Sequence, residues 1–203
     1  MTQKLFRLSL VLSGLIFIWA CLTAWAQISD RNFDKNFGSK NSGPRIQILF
    51  KSDPLYNLDE QICIRLATVL EANGCNVHLS SYASNPSISE ATDVIVFCAN
   101  TYNWAPDWVT LNFILEHSEL EGKMGIPIIL GSGSTNRARN ILEFSISNRK
   151  MDLIGTEDFS LLKPNDDRRI NDDNVKVALD QIEIKAQQWF DLIELKIKLN
   201  SND

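Results

Sequence analysis

The stretch DVIVFCA, residues 93–99, decides the fold of this chain. It is a continuous apolar run with three β-branched side chains, and such a run is typical of a strand that is covered on both faces. A loop segment follows it at residues 100–107, and then apolar residues recur at helical spacing over residues 108–120. A covered strand that leads through a loop into an amphipathic helix indicates an α/β protein with a parallel sheet.

The same alternation of strand and helix patterns continues on both sides of this stretch. Short apolar runs predict further strands at residues 45–51, 76–81, 126–131 and 151–155. Three- and four-residue spacing of apolar side chains predicts helices over residues 57–73, 108–120, 136–148 and 172–199. We therefore expect a single doubly wound α/β domain. Its five parallel strands should run in the order 2-1-3-4-5, with residues 45–51 and 93–99 as adjacent central strands.

Composition excludes several other classes of protein. The chain has 203 residues, of which 44% are hydrophobic, and a net charge of −5. This apolar content is too high for a disordered chain, and the acidic balance without a basic cluster argues against a nucleic-acid partner. His78 and His117 are far apart and no CxxC pair is present, so we expect no metal site.

The first 26 residues have the three-part pattern of a secretory signal peptide. Lys4 and Arg7 give a positively charged start, residues 8–22 are nearly all apolar, and AWA at residues 24–26 is a small-x-small cleavage signature. The apolar run is about 15 residues long, which is shorter than the roughly 20 that a spanning helix needs. Cleavage after residue 26 is the favoured interpretation.

Two alternatives to cleavage stay open. The apolar run can be extended to Trp25, which would make it an uncleaved anchor, and the residues before Cys21 resemble a lipoprotein signal. All three interpretations predict an exported protein that is periplasmic or secreted, with an inner-membrane-anchored form as one option. Contact with a membrane is expected only through an uncleaved or lipidated N-terminus.

Residues 27–44 are polar and without periodicity, and we interpret them as a flexible linker to a domain at residues 45–199. Within that domain Cys63 and Cys98 lie in apolar patterns and are expected to be buried. The sequence leaves open whether Cys63 is bridged to Cys75.

The doubly wound architecture predicts where a ligand would bind. In such sheets the site lies beyond the carboxyl ends of the strands, where the strand order reverses. The segments that converge there are residues 52–57, 100–107 and 131–136, which we call the first, second and third loops.

Several segments resemble the NADPH-dependent FMN reductase branch of the flavodoxin-like superfamily. In residues 91–115, ATDVIVFCANTYNWAPDWVTLNFIL, the run NTYNW at 100–104 and Pro106 stand where that family has a Pro-x-Tyr-Asn-like loop and a Pro before the next helix. LEGKMGIPIILGSGSTNRARNIL, residues 120–142, is similar to the family's step into strand four and the small-residue loop after it. FSISNRKMDLIG, residues 144–155, resembles the passage that precedes strand five.

The resemblance implies an FMN cofactor on the three loops. Tyr102 or Trp104 would form an aromatic wall for the flat ring, and the glycines of the third loop would let the backbone approach its polar edge. The expected cofactor contacts are Lys51, Ser52, Asn57, Asn100, Thr101, Tyr102, Asn103, Trp104, Gly131, Ser132 and Gly133.

The first loop departs from the family pattern. FMN-binding relatives have a loop rich in Ser, Thr and Gly there, which holds the phosphate. Residues 51–57 read KSDPLYN, so that Lys51, Ser52 and the helix start at Asn57 would have to hold it, while Pro54 lacks an N–H and Asp53 repels a dianion. We therefore describe the phosphate loop as degenerate.

These observations imply an exported FMN protein that acts in electron transfer or as an NAD(P)H-dependent flavin or quinone reductase. Its partner would be a flavin or quinone-like small molecule, or an electron-transfer protein, and no catalytic side chain is required. The alternative is a cofactor-free flavodoxin-like binding module outside the cytoplasm. A TIR-like domain shares the strand order but ranks last, because Asn112 stands where an NAD-cleaving site would have Glu.

Overall fold

The computed structural model describes residues 3–38 and 43–200. The helices are α1 (Gln3–Ile28), α2 (Leu58–Ala72), α3 (Trp108–Glu116), α4 (Asn136–Asn148) and α5 (Asn174–Asn200). The strands are β1 (Asp34–Phe37), β2 (Arg45–Phe50), β3 (Asn76–Ser81), β4 (Val94–Tyr102), β5 (Ala105–Pro106), β6 (Met124–Gly131), β7 (Asp152–Leu153) and β8 (Glu157–Ser160).

The central sheet has the strand order that the sequence predicts. Strands β3, β2, β4, β6 and β7 lie side by side and are all parallel, which is the order 2-1-3-4-5 in the numbering of the predicted strands. Strands β2 and β4 are adjacent at the centre, as expected. The last predicted strand is interrupted, since β8 continues the pairing with β6 beyond β7.

One strand of the sheet lies in the segment that we expected to be a flexible linker. Strand β1 pairs antiparallel with β3, and this corrects the expectation for residues 34–37. The side chain of Phe37 is buried, and the Phe33 ring packs edge-on against Phe50 at 5.6 Å between centroids. Two aromatic anchors on one face of an extended segment thus hold it on the sheet, although its other residues are polar. The rest of the linker prediction includes residues 39–42, which lie outside the described residues.

Side chains from alternate positions of the strands fill two cores, one on each face of the sheet. In β4 the side chains of Val94, Val96 and Cys98 join the core under α2 and α5, whereas Ile95 and Phe97 join the core under α3 and α4. This explains why residues 93–99 are apolar without alternation.

The three cysteines of the domain are buried free thiols. A hydrogen bond with the Cys63 thiol, together with burial, raises the pKa of Cys98 well above its usual value. Cys63 therefore neighbours Cys98 in this structure and is not bridged to Cys75.

Helix α1 contains the apolar N-terminal segment. Its window Leu5–Ile28 has 24 residues and a mean hydropathy of 2.1, and none of its most apolar part is buried. By length and composition it is sufficient to cross a membrane, a property that signal sequences and membrane anchors share. At its end, Ala26 and Gln27 are buried against the domain.

Candidate functional site

A cavity of about 600 Å³ opens at the carboxyl edge of the sheet, where the three loops meet. This volume is in the range of small-molecule binding sites. Helix α1 forms one wall with Trp19, Leu22, Thr23, Trp25 and Ala26. The other walls come from Asp53, Leu55, Tyr56, Leu58, Asp59, Asn100–Trp104, Leu130–Ser134 and Leu161.

The structure brings together most, but not all, of the predicted contact residues. The cavity is lined by Asn100, Thr101, Tyr102, Asn103, Trp104, Gly131, Ser132 and Gly133. The remaining three do not line it: Lys51 and Ser52 are buried just after β2, and Asn57 is exposed. The side chain of Asn57 accepts a hydrogen bond from Gln61 and does not cap α2, although the sequence suggested Asn57 as the N-cap of this helix.

The second loop is a β-hairpin. Strand β4 continues to Tyr102 and pairs with β5, so that the turn consists of Asn103 and Trp104. Their φ angles of 50° and 61° are those of a type I′ turn, which Asn adopts readily and a bulky residue such as Trp does not. Strain of about 1–3 kcal/mol is typical of such positions and is concentrated at functional sites. This turn presents the Trp104 ring at the cavity mouth, where it is 62% exposed.

Hydrogen bonding fixes the orientation of the Tyr102 ring. Its hydroxyl donates to Oδ2 of Asp53 at 2.5 Å, and the ammonium of Lys51 lies 5.5 Å from the ring centroid. Burial, the Asp53 bond and neighbouring negative charge raise the pKa of Tyr102 far above its usual value. The phenol is therefore a neutral donor, and its ring is a rigid wall of the cavity.

A carboxylate from outside the predicted domain binds the start of the first loop. Oδ1 of Asp30 accepts hydrogen bonds from the backbone N–H of Ser52 at 2.9 Å and from its hydroxyl at 2.7 Å. Oδ2 of Asp30 accepts from the N–H of Ala83 at 2.8 Å. Asp30 thus occupies the donors of Ser52 that the sequence assigned to a phosphate.

Two further carboxylates bind the rest of the first loop. Oδ1 of Asp53 accepts from the N–H groups of Leu55 and Tyr56 at 2.7 and 2.9 Å. Oδ2 of Asp59 accepts from the N–H of Asp53 at 2.5 Å. Since Pro54 has no N–H, every backbone donor of residues 52–56 is bound by a carboxylate of the chain itself.

The charge around the first loop is also unsuited to a phosphate. Burial lowers the pKa of Lys51 below its usual value, and the negative charges of four neighbouring carboxylates, Asp107, Asp30, Asp53 and Asp59, act in the opposite direction. A dianion brought here would meet more negative than positive charge. The residues present therefore fit the flat ring of a flavin at Tyr102 and Trp104, and they do not fit its phosphate group.

Asn100 and Asp107 support the second loop from below. Asp107 is fully buried and caps α3, with Oδ1 accepting from the N–H of Thr110 at 2.8 Å and Oδ2 from the N–H of Asn100 at 2.9 Å. The side-chain amide of Asn100 donates to the Lys51 carbonyl at 2.8 Å and to Asp59 at 3.1 Å. Burial raises the pKa of both carboxyl groups, Asp59 and Asp107, to about 6.

The glycines of the third loop have different roles. A Cβ on Gly131 would lie 3.0 Å from the Thr135 methyl and 3.3 Å from Cβ of Thr101, so that this glycine permits close packing of β6. The sequence led us to expect that this glycine lets the backbone approach the edge of a ring; in the structure Thr101 and Thr135 occupy the space that its Cβ would take, and Gly131 itself lines the cavity. A Cβ on Gly133 would meet no atom within 4 Å, so that position is open.

Sequence reasoning missed several residues of the site. Asp107 follows Pro106 and stands three residues before Thr110, which is a recognisable N-cap signal. Asp30 gives no local signal, because its partners lie 22 and 53 positions away in the chain. The contribution of α1 could not be inferred from a segment that resembles a leader peptide.

No family model and no curated protein matches this chain. Among solved structures it is similar to rubredoxin oxygen:oxidoreductase from Desulfovibrio gigas, with a TM-score of 0.59 at 13% identity over 75% of this chain and 37% of that one. An oxidoreductase from Corynebacterium diphtheriae gives a TM-score of 0.54 at 11% identity, over 75% of this chain and 98% of that one.

Two-electron reduced Megasphaera elsdenii flavodoxin gives a TM-score of 0.50 at 16% identity, over 69% of this chain and 98% of that one. The chain therefore spans little more than a third of the D. gigas protein and nearly the whole of the other two. The strand order 2-1-3-4-5 and these neighbours together show that the chain has the flavodoxin-like fold.

Proposed function

We propose that this protein is an exported flavoprotein that holds FMN by its ring in the cavity. It would act in electron transfer or as an NAD(P)H-dependent flavin or quinone reductase. The observation that carries the proposal is the cavity at the switch point, with Tyr102 and Trp104 on its walls. The names of the structural neighbours, a flavodoxin and two oxidoreductases, agree with this class of function.

In this proposal the chain's own residues position the cofactor. Tyr102, fixed by Asp53, and Trp104, held by the hairpin turn, flank a flat ring, while Leu22 and Ala26 of α1 exclude water from one side. Bound FMN would supply the electron-accepting and electron-donating chemistry. Its electron partner would be a flavin or quinone-like small molecule or an electron-transfer protein.

The first loop supports recognition of the ring without the phosphate. Its backbone donors are engaged by Asp30, Asp53 and Asp59, so the phosphate of FMN adds little to binding. Riboflavin, which has the same ring and no phosphate, should therefore bind with an affinity within about threefold of that of FMN, a difference below 1 kcal/mol.

The same carboxylates favour a second candidate function, that of a cofactor-free binding module. In that case the cavity would take another ligand and the protein would carry no electrons. The fold and the cavity are common to both candidates, so a direct binding measurement has to decide between them.

The deciding experiment is a titration of the purified full-length chain with FMN and with riboflavin, followed by quenching of flavin fluorescence. The absorbance of the protein as isolated shows whether flavin is already bound. Saturable binding of both ligands with similar affinity supports the flavoprotein. If neither ligand binds at high micromolar concentration, the flavoprotein proposal is wrong and the binding module remains.

We also propose that the domain lies outside the cytoplasm, in the periplasm or beyond it. Lys4 precedes the apolar window of α1 and Arg7 lies near its start, and positive residues at this end of a helix favour keeping that end on the cytoplasmic side. Fractionation of the native host should find the domain in the periplasmic, secreted or membrane fraction. A cytoplasmic soluble protein would contradict the proposal.

A further inference from the structure

Large apolar side chains are exposed around the mouth of the cavity. Leu55 is 66% exposed, Tyr56 52%, Trp104 62% and Trp108 53%, and we call these four residues the rim. The first three line the cavity itself. The fourth begins α3, and its backbone N–H donates to Oε1 of Gln27 at the end of α1, at 3.0 Å.

The C-terminal part of α1 lies alongside this rim. Nε1 of Trp19 donates to Oδ1 of Asn103, in the hairpin turn, at 3.2 Å. Ala26 and Gln27 are 4% and 3% exposed because they pack on the domain. The helix is therefore in contact with the domain at residues 19–27, and its preceding residues extend away from it.

The length of α1 then limits how a membrane can be placed. Of the window Leu5–Ile28, residues 5–18 precede the contact with the domain. At 1.5 Å per residue these fourteen residues are about 21 Å long, whereas the hydrocarbon core of a bilayer is about 30 Å thick. The remaining roughly 9 Å of the core takes about six more residues, so a helix that spans it places residues 19–24 in the outer part of the core. The end of α1 and the rim beside it then lie at the membrane interface.

We propose that α1 stays on the mature protein as an anchor, and that the rim lies in the interface of the bilayer that α1 crosses. The cavity then opens towards the lipid surface. Trp and Tyr favour this depth of a membrane, and they are present both on the rim and in α1 at Trp19 and Trp25. Because the chain is acidic, apolar contact rather than attraction to anionic headgroups accounts for this placement. This inference concerns orientation and does not depend on the proposed function.

The test places a fluorescent label on the rim of the full-length chain in phosphatidylcholine vesicles. Cys21 is changed to Ala, and the other cysteines are buried. A single new cysteine then carries an environment-sensitive NBD label, in Leu55→Cys or in the matched control Phe144→Cys. Phe144 is 72% exposed near the end of α4, away from the cavity edge.

We expect nitroxide groups attached near the headgroups of the lipids to quench the label at residue 55 at least twofold more than the label at residue 144. Its emission should also shift to the blue. Equal quenching at both positions would overturn the placement of the rim. An intact mass of the protein from its native host that corresponds to a chain starting at Gln27 would overturn retention of α1. Circular dichroism verifies that both labelled variants are folded. The flavin titration is independent of all these outcomes.

Discussion

Replacement of Asp30 by alanine should turn the first loop into a better phosphate site. The change removes one negative charge and leaves three donors without their acceptor, namely the N–H and hydroxyl of Ser52 and the N–H of Ala83. All three converge on the space that the carboxylate occupied. An anion with several acceptor oxygens can then take its place.

The magnitude follows from the hydrogen bonds. A hydrogen bond to a charged group contributes about 1.5–3 kcal/mol, so that recovery of even one of the three raises affinity by about tenfold. We therefore expect the ratio of FMN affinity to riboflavin affinity to rise at least about tenfold in Asp30→Ala. Without a ligand the variant should lose about 2–4 kcal/mol of unfolding free energy, because Ser52 is only 2% exposed and its N–H is left unpaired.

The assay is the paired titration with FMN and riboflavin, together with urea unfolding of each variant. Asp34→Ala is the matched control, since it removes the same charge from an exposed pair with His78 and frees no donor of the first loop. An affinity ratio that stays the same in Asp30→Ala and Asp34→Ala would refute the argument that Asp30 fills the phosphate position. If Asp30→Ala is as stable as the wild type, the predicted loss of unfolding free energy is wrong.

Three further predictions concern pH, packing and the ring site. Because the folded-state pKa values of Asp59 and Asp107 are raised from 3.8 to about 6, the folded state holds more protons than the unfolded state between these values. Protonation of each carboxyl group therefore contributes about 3 kcal/mol to the unfolding free energy, a contribution that is complete below pH 4 and is lost as the pH rises through 6. Urea unfolding at pH 5 and at pH 7.5 checks this. An unfolding free energy that is no higher at pH 5 would contradict it. Gly155→Ala should lose about 1–3 kcal/mol of stability in thermal unfolding, because its Cβ would overlap the indole of Trp189 in α5. Gly133→Ala, whose Cβ meets no atom within 4 Å, should change stability by less than about 0.5 kcal/mol, and equal effects of the two changes would disprove the packing argument. Tyr102→Ala should weaken FMN binding by about tenfold or more, whereas Tyr102→Phe, which keeps the ring, should bind FMN nearly as the wild type does. A flavin titration in which Tyr102→Phe binds as weakly as Tyr102→Ala would show that the ring does not contact the flavin.

Local patterns were sufficient to predict the fold because the signals that define it are short-range. The uninterrupted apolar run at residues 93–99 requires cover on both faces, and the helices on either side of it supply that cover. The same alternation predicted parallel strands, and the position of the cavity followed because parallel strands bring their carboxyl ends to one edge. The order 2-1-3-4-5 was that of the doubly wound class of fold to which the sequence was assigned. The same reasoning predicted Tyr102, the last residue of β4, and Trp104, in the turn after it, and both line that cavity.

The carboxylates of the first loop were decided by tertiary structure alone. Asp30 contacts Ser52 and Ala83 just before β1, which pairs with β3, and Phe33 and Phe37 are packed against residues far along the chain. A polar segment with two aromatic residues has no periodicity from which such contacts can be predicted. In the same way, α1 has the composition of a leader peptide, and only its packing against the hairpin turn makes it a wall of the cavity. The sequence by itself determined which chemical groups are present at this edge of the sheet, whereas non-local burial determined which of them are already bound to one another.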